Sequence, residues 1–196
     1  MKQRNVIIVS AISILCVALV VMAGLVPHRD NIPEKILMSA SWSYNYSDLK
    51  ELTESSDLIA RISVMDDGFS TDVDGIPMTY YTAAVTIPID GCSMNDTITI
   101  AMTGGPKENF LYEIADDPLM KESDDFLVFC RKNTTGTYTV LSGSQGRMTI
   151  NNGLVSSLNV SNDQVQTYNL GSNINVQNIP LEEFILEVST YLKSNS

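Results

Sequence analysis

The stretch Leu58-Ile59-Ala60-Arg61-Ile62-Ser63-Val64-Met65 decides the fold, because apolar side chains at 58, 60, 62 and 64 alternate with Arg61 and Ser63. A repeat of two residues is typical of a β-strand with one buried face, since successive side chains point to opposite sides of a sheet. The stretch Phe126-Leu127-Val128-Phe129-Cys130 is apolar throughout, which is typical of a strand buried on both faces. The two segments predict a core built from β-strands.

Further strand patterns lie around these two segments. Residues 78–89 are rich in β-branched and aromatic side chains, and Pro88 predicts a sheet edge or a bulge because it has no N–H for the ladder. Asn151-Asn152-Gly153 is a hairpin turn signal. Additional strands are predicted at 97–102, 137–141, 146–150 and 154–160. Six or seven short strands separated by turn signals predict a small, closed or nearly closed β-barrel.

One helix is predicted on each side of these strands. Residues 48–54 favour a short helix with Ser47 as its N-cap. After Pro180, apolar residues recur every 3.6 positions, which predicts an amphipathic helix that packs its apolar face on the barrel. These apolar positions are Leu181, Phe184, Ile185, Val188, Tyr191 and Leu192.

The N-terminus carries an uncharged run of 21 residues, Val6 to Val26, after Lys2 and Arg4. A helix of this length spans about 30 Å, the thickness of the hydrocarbon core of a bilayer. The preceding cations place the N-terminus in the cytoplasm and the rest of the chain outside. Two interpretations stay open: a retained single-pass anchor in the cell membrane, or a signal peptide cleaved after Ala23 that releases a secreted protein.

The sequence therefore divides into three parts. Residues 1–26 form the anchor or signal segment. Residues 27–46, with two prolines and several serines, are expected to be a tether. Residues 47–196 are expected to form the barrel with its two helices.

The charge balance excludes one large class of partner. Lys and Arg number 12 against 23 for Asp and Glu, which gives a net charge of −11. Such a surface repels phosphate, so nucleic acid is excluded as a partner. The single histidine, His28, follows the apolar run directly. We therefore expect no Ser-His-Asp catalysis, no zinc site, no other cofactor and no enzymatic activity.

An acidic stretch at residues 66–75 is predicted to be a loop between two strands. Its four carboxylates are Asp66, Asp67, Asp72 and Asp74. Calcium binds several oxygen ligands with flexible spacing, so a weak calcium site and a solvated hairpin tip both stay open. Two acidic pairs, Asp116-Asp117 and Asp124-Asp125, also stay open as paired carboxylates for acid–base chemistry or as solvated surface.

Two further sets of residues are candidate sites. Cys92 and Cys130 are either a disulfide or two free thiols, since an oxidising exterior permits a bridge but the sequence does not give the Cα separation. Trp42, Tyr44 and Tyr46 alternate just before the first helix. They are a ligand-stacking strip, a group of rings at a membrane interface, or a segment that packs one side on the barrel.

Five motifs follow one another along the chain: Ser56 to Ile62, Tyr80 to Val85, Ile98 to Ile100 with Gly104-Gly105, Phe126 to Phe129, and Gly143-Ser144-Gln145-Gly146-Arg147-Met148. Their order resembles that in a group of exported or membrane-anchored proteins of Gram-positive bacteria, and the resemblance covers roughly residues 47 to 195. This group has no assigned activity, and its layout is more distantly similar to the netrin-like OB barrels of metalloproteinase inhibitors. The resemblance implies an OB-like barrel and does not imply inhibition.

From the sequence we expect a non-enzymatic module outside the cytoplasm, tethered to the membrane through Val6 to Val26, that binds a protein, a peptide or a glycan. The alternatives are a carboxylate-dependent hydrolase at the cell surface and a structural or sensory ectodomain. The binding face is predicted between the acidic stretch 66–75 and the segment after Gly104.

Overall fold

The computed structural model describes residues 33–158 and 174–193. The predicted membrane run Val6 to Val26, the cleavage point after Ala23 and His28 lie outside these ranges. Among the described residues, every helix is too short or too polar to cross a bilayer.

The described residues form twelve strands, two α-helices and one short 3-10 turn. The helices are α1 (Leu49–Glu54) and α2 (Leu181–Lys193), and the turn is Gly143–Gln145. The strands are β1 (Glu34–Met38), β2 (Leu58–Val64), β3 (Phe69–Val73), β4 (Ile76–Asp90), β5 (Thr97–Thr103), β6 (Gly105–Lys107), β7 (Phe110–Ile114), β8 (Asp125–Lys132), β9 (Tyr138–Val140), β10 (Arg147–Asn151), β11 (Leu154–Ser157) and β12 (Ile179–Pro180).

Five of these strands close into a barrel. Going round the ring, β2 pairs with β4, β4 with β5, β5 with β9, β9 with β8, and β8 again with β2. All of these pairs are antiparallel except β5 with β9, which are parallel at Ile100 and Tyr138. The predictions of a mainly β protein and of a closed barrel are therefore confirmed.

The alternation in β2 has the predicted consequence. Its residues 58, 60, 62 and 64 all belong to the apolar cluster inside the barrel, together with Val128 and Cys130 of β8. The predicted irregularity at Pro88 is also present. Ala60 pairs with Pro88 whereas Ile59 pairs with Asp90, so Ile89 is the extra residue of a β-bulge.

A second apolar cluster lies on the opposite face of β2 and β8. Ile59 and Phe129 point into it, and both helices pack there. The rings of Phe129 and Phe184 meet edge to face with centroids 6.4 Å apart. The predicted C-terminal amphipathic helix is thus confirmed as α2, which buries Leu181, Phe184 and Val188.

The N-cap of α1 differs from the prediction by one residue. Asp48, not Ser47, accepts the hydrogen bond from the Glu51 N–H, at 2.8 Å. Ser47 instead donates both its N–H and its hydroxyl to the Glu51 carboxylate, each at 2.8 Å. This exchange of bonds resembles a capping box with the two roles divided between neighbouring residues.

Two predicted irregular segments contain strands. Within the range 27–46, predicted as a tether, residues 34–38 form β1 and pair in parallel with β7. Within the acidic stretch 66–75, predicted as a loop, β3 forms a hairpin with β4. Both strands expose most of their residues, so neither shows the apolar alternation by which a strand is recognised in a sequence.

A buried ion pair fixes the start of β10. Arg147 is 1% exposed, and its Nη2 donates to Oδ1 of Asp117 at 2.6 Å and to the carbonyl of Pro118 at 2.5 Å. Its guanidinium also lies 5.0 Å from the centre of the Phe126 ring. Burial raises the pKa of Asp117 and lowers that of Arg147, while the attraction between them opposes both shifts. The pair connects β10 to the segment that precedes β8.

Replacing Arg147 with methionine should lower the free energy of unfolding by about 3–5 kcal/mol, because Asp117 is then buried without a counter-charge. Urea denaturation of the full chain measures this. The double variant Arg147→Met, Asp117→Leu should recover most of the loss, since the unpaired charge is gone.

The matched control is Lys50→Met, which breaks the exposed pair of Lys50 with Glu54 and should cost less than about 0.5 kcal/mol. An Arg147→Met variant as stable as this control would contradict the role given to the buried pair.

Candidate functional site

A cleft of about 330 Å³ lies between the segment 42–46 and the β8–β9 hairpin. Its volume is at the lower end of the range for small-ligand sites. One wall carries the aromatic side chains Trp42, Tyr44 and Tyr46. The β8–β9 hairpin contributes the polar residues Arg131, Asn133 and Thr139. We call the two sets the aromatic wall and the polar wall.

The turn before β10 holds the aromatic wall in place. The Tyr46 N–H donates to Oε1 of Gln145 at 3.1 Å, and Nε2 of Gln145 donates to the Tyr46 carbonyl at 3.2 Å. The Ser142 hydroxyl donates to the Tyr44 carbonyl. Gln145 thus pairs with the backbone of the segment as a neighbouring strand would, although 99 positions separate it from Tyr46.

Gly143 gives Trp42 its position. A Cβ atom on Gly143 would lie 2.2 Å from Cζ2 of Trp42, closer than any side chain permits. The residue also has a φ of +53°, which favours glycine. Only glycine therefore lets the indole ring lie against the turn.

The two tyrosines of the aromatic wall have different roles. Tyr46 is buried, whereas Tyr44 is 53% exposed and meets it edge to face with ring centroids 4.9 Å apart. The Tyr44 hydroxyl donates to the carboxylate of Glu51. This bond raises the pKa of Tyr44. Tyr46 packs as the plainer prediction expected, and Tyr44 offers an open ring surface to the cleft.

The polar wall offers groups that bind hydroxyls and anions. Asn133 donates through Nδ2 to the hydroxyls of Thr137 and Thr139, both at 3.0 Å. Within the described part of the chain, Arg131 forms no ion pair. The Nε1 atom of Trp42 is buried and has no hydrogen-bond partner among the described residues, an arrangement that costs about 1–3 kcal/mol. The cleft therefore combines an exposed ring with an exposed guanidinium that has no ion pair among the described residues.

The carboxylates of the acidic stretch mostly have partners within the protein. Asp66 accepts from the N–H groups of Gly68 and Thr82, both at 3.1 Å. Asp67 accepts from the Glu122 N–H at 2.9 Å. Asp72 pairs with Lys107, and Asp74 lies at the tip of the β3–β4 hairpin. In the described ranges, no three His, Cys, Asp or Glu side chains are grouped in a way that could hold a metal ion.

The two acidic pairs each give one carboxylate to an arginine. Asp117 binds the buried Arg147. Asp125 accepts from Nε of Arg61 at 2.9 Å, across neighbouring strands of the barrel. Both carboxylates thus take part in ion pairs within the fold.

The two borders of the face predicted to bind a ligand are in contact with each other. Lys107, on the segment after Gly104, contacts Asp72 of the acidic stretch at 2.6 Å and donates to the Gly75 carbonyl at 2.6 Å. The two borders of the predicted face therefore touch, and the cleft lies elsewhere on the barrel.

Both cysteines are free thiols in the structure. Cys130 lies fully buried in the barrel core, and the half-buried Cys92 packs against the same core cluster. Burial raises the pKa of both thiols. Deprotonation is therefore disfavoured at each, which lowers their reactivity.

Comparison with family models, with curated proteins and with solved structures found no match to this chain.

Replacing Gly143 with alanine should move Trp42 out of its position and shift its fluorescence to longer wavelength as the indole meets water. Trp42 is the only tryptophan of the chain, so the emission spectrum reports on this position alone. Gly153→Ala is the matched control, because Gly153 also has a positive φ but has open space around it. The control should lose about 1–2 kcal/mol of stability with an unchanged spectrum. Equal spectra for the two variants would contradict the packing described.

Proposed function

We propose that this chain is a non-enzymatic binding module, tethered to the membrane outside the cytoplasm, that binds a glycan in the cleft between Trp42 and Arg131. The observation that carries the proposal is the pairing of an exposed aromatic ring with a polar wall of guanidinium, amide and hydroxyl groups. Sugar rings present the same two features, with C–H groups on their faces and hydroxyls at their edges.

The barrel topology supports the finer fold assignment to an OB-like barrel. Counted along the chain, the ring runs first, second, third, fifth and fourth strand, with the third and fifth parallel. OB folds bind oligonucleotides and oligosaccharides. Because the chain carries a net charge of −11, phosphate backbones are repelled, and saccharides are the class that remains. The resemblance to exported Gram-positive proteins and to netrin-like barrels is consistent with this fold.

Arg131 narrows the class of glycan. Its guanidinium is exposed in the cleft and can bind a carboxylate through two parallel hydrogen bonds. A saccharide that carries an acidic group, such as a uronic acid, would contact Arg131 while a neighbouring ring lies on Tyr44. In a protein of this net charge, one unpaired guanidinium selects a single carboxylate rather than a polyanion.

The location follows from the N-terminal sequence. Val6 to Val26 is long enough to cross a bilayer, and Lys2 and Arg4 precede it. A tether of this kind keeps the module near the membrane, which raises its effective concentration toward surface polymers there.

The test is a titration of the full chain, held in detergent micelles, with neutral and uronic-acid oligosaccharides while the emission of Trp42 is recorded. The acidic oligosaccharides should give a saturable change. Tyr44→Ala should weaken their binding about tenfold or more, because it removes the exposed ring. Tyr44→Phe should retain the binding, since it removes only the bond to Glu51. The control Leu186→Ala, on the exposed side of α2, should have no effect.

Three outcomes would contradict the proposal. Binding of short peptides in place of oligosaccharides would change the ligand class. If new reducing ends appeared in the mixture, and if they no longer appeared after one carboxylate residue was replaced by its amide, the protein would be a hydrolase. Saturable binding that Tyr44→Ala leaves unchanged would place the site outside the cleft.

A further inference from the structure

The β3–β4 hairpin presents an apolar surface to solvent. Phe69 is 72% exposed, Ile76 is 52% exposed and Val73 is 42% exposed. Val73 pairs directly with Ile76, and Phe69 lies four residues before Val73 on the same strand, so all three point to one side of the hairpin. An exposed apolar patch on an outer hairpin is a typical feature of an interaction site. We call Phe69, Val73 and Ile76 the hairpin face.

The hairpin also has a free edge. In the described part of the chain, β3 pairs with β4 alone. Asp72 lies opposite Pro77. Pro77 has no N–H, and its carbonyl accepts a hydrogen bond from the Gly104 N–H at 2.8 Å. The backbone of Pro77 therefore forms its hydrogen bond on the side away from β3. The N–H and carbonyl of Asp72 therefore point to the outer edge. Because backbone groups alternate between the two edges of a strand, the N–H and carbonyl of Ser70 point to the outer edge as well.

Neighbouring segments cover the inner side of the hairpin and leave this edge open. A Cβ on Gly105 would lie 2.8 Å from the Ser70 hydroxyl oxygen and 2.5 Å from that of Thr79. The strand β6 thus packs against the side chains that point inward, opposite the hairpin face. An added strand at the edge of β3 would meet no described strand of this chain.

The charge around the edge selects its occupant. Asp66, Asp67, Asp72 and Asp74 all lie within eight residues of one another along this hairpin, by residue numbers 66 to 74. A hydrogen bond from Thr82 lowers the pKa of Asp66, and one from Lys107 lowers that of Asp72, so both are ionised at neutral pH. Lys107 balances the charge of Asp72, and the other three carboxylates keep the hairpin anionic. A second copy of the chain would bring the same carboxylates against these, and an anionic membrane surface would be repelled. A segment with cationic side chains complements them.

We propose that the outer edge of β3 binds an extended segment of a partner protein in which apolar residues alternate with Lys or Arg. The segment adds a strand to the sheet through the backbone groups of Ser70 and Asp72. Its apolar side chains pack on the hairpin face, and its cationic side chains, on the opposite side of the added strand, are attracted by the net negative charge of residues 66–75. This site is separate from the aromatic cleft and does not depend on the glycan proposal.

The binding test uses a fluorescent peptide of about seven residues in which Lys and Val alternate, the usual length of a strand. Its anisotropy is measured against the full chain in neutral detergent. Saturable binding is expected, weakened by added salt. The variant Phe69→Lys, Val73→Lys should bind about tenfold more weakly or worse, because it places cations on the apolar face. The control Leu186→Lys changes an equally exposed residue, 66% accessible, and should bind as the wild type does.

Amide hydrogen exchange supplies an independent readout. Bound peptide should slow exchange at the amides of Ser70 and Asp72, which point outward. It should leave Thr71 unchanged, since that amide already faces β4. A far-ultraviolet circular dichroism spectrum and a urea midpoint that match those of the wild type show that the double variant keeps its fold.

Several results would overturn the proposal. One is a double variant that keeps both its fold and its affinity for the peptide. Another is equal binding of a peptide in which Glu replaces Lys, because charge would then play no part. The third is that the Lys–Val peptide fails to bind, while the wild-type chain self-associates and the double variant does not. The occupant of the edge would then be a second copy of the chain.

Discussion

The buried contact between Arg147 and Asp117 is the interaction on which the rest of the site depends. It connects the start of β10 to the segment before β8, and the turn that immediately precedes Arg147 carries Gly143 and Gln145. Through those two residues the turn positions Trp42 and Tyr46. The buried charge pair is thus connected through one turn to the aromatic residues outside the barrel. A buried ion pair gives little net stability, but removing one partner is strongly destabilising because the other charge is then buried without compensation.

The same barrel keeps two candidate surfaces apart. The cleft uses the end of β8, the start of β9 and the segment before α1, while the hairpin face uses β3 and the first residues of β4. Their chemistry differs as well. The cleft contributes an exposed guanidinium and an exposed ring, whereas the hairpin contributes carboxylates and apolar side chains. The two proposed ligands, an acidic glycan and a basic peptide, would therefore be distinguished by their charge.

Sequence patterns predicted the barrel well and the cleft only in part. The repeat of two in β2, the apolar β8 and the helical repeat of α2 each arise from burial, which a single sequence records directly. β3 exposes nearly all of its residues, and β1 pairs with a strand more than 70 positions away, so neither leaves a local pattern. The sequence indicates Trp42 and Tyr44 as candidates, but Arg131, Asn133 and Gln145 join them only through folding. The sequence holds no signal for a contact between residues 99 positions apart.

The most direct test of the account follows the indole N–H of Trp42 by nuclear magnetic resonance. The chain has one tryptophan, so the spectrum of the ¹⁵N-labelled protein in detergent micelles has one indole signal to assign. Titration with a uronic-acid oligosaccharide should shift that signal together with the side-chain Nε signal of Arg131, and both shifts should saturate at the same concentration. An oligosaccharide that binds while both signals stay in place, or one that shifts neither these nor any other signal at saturating concentration, would contradict the account.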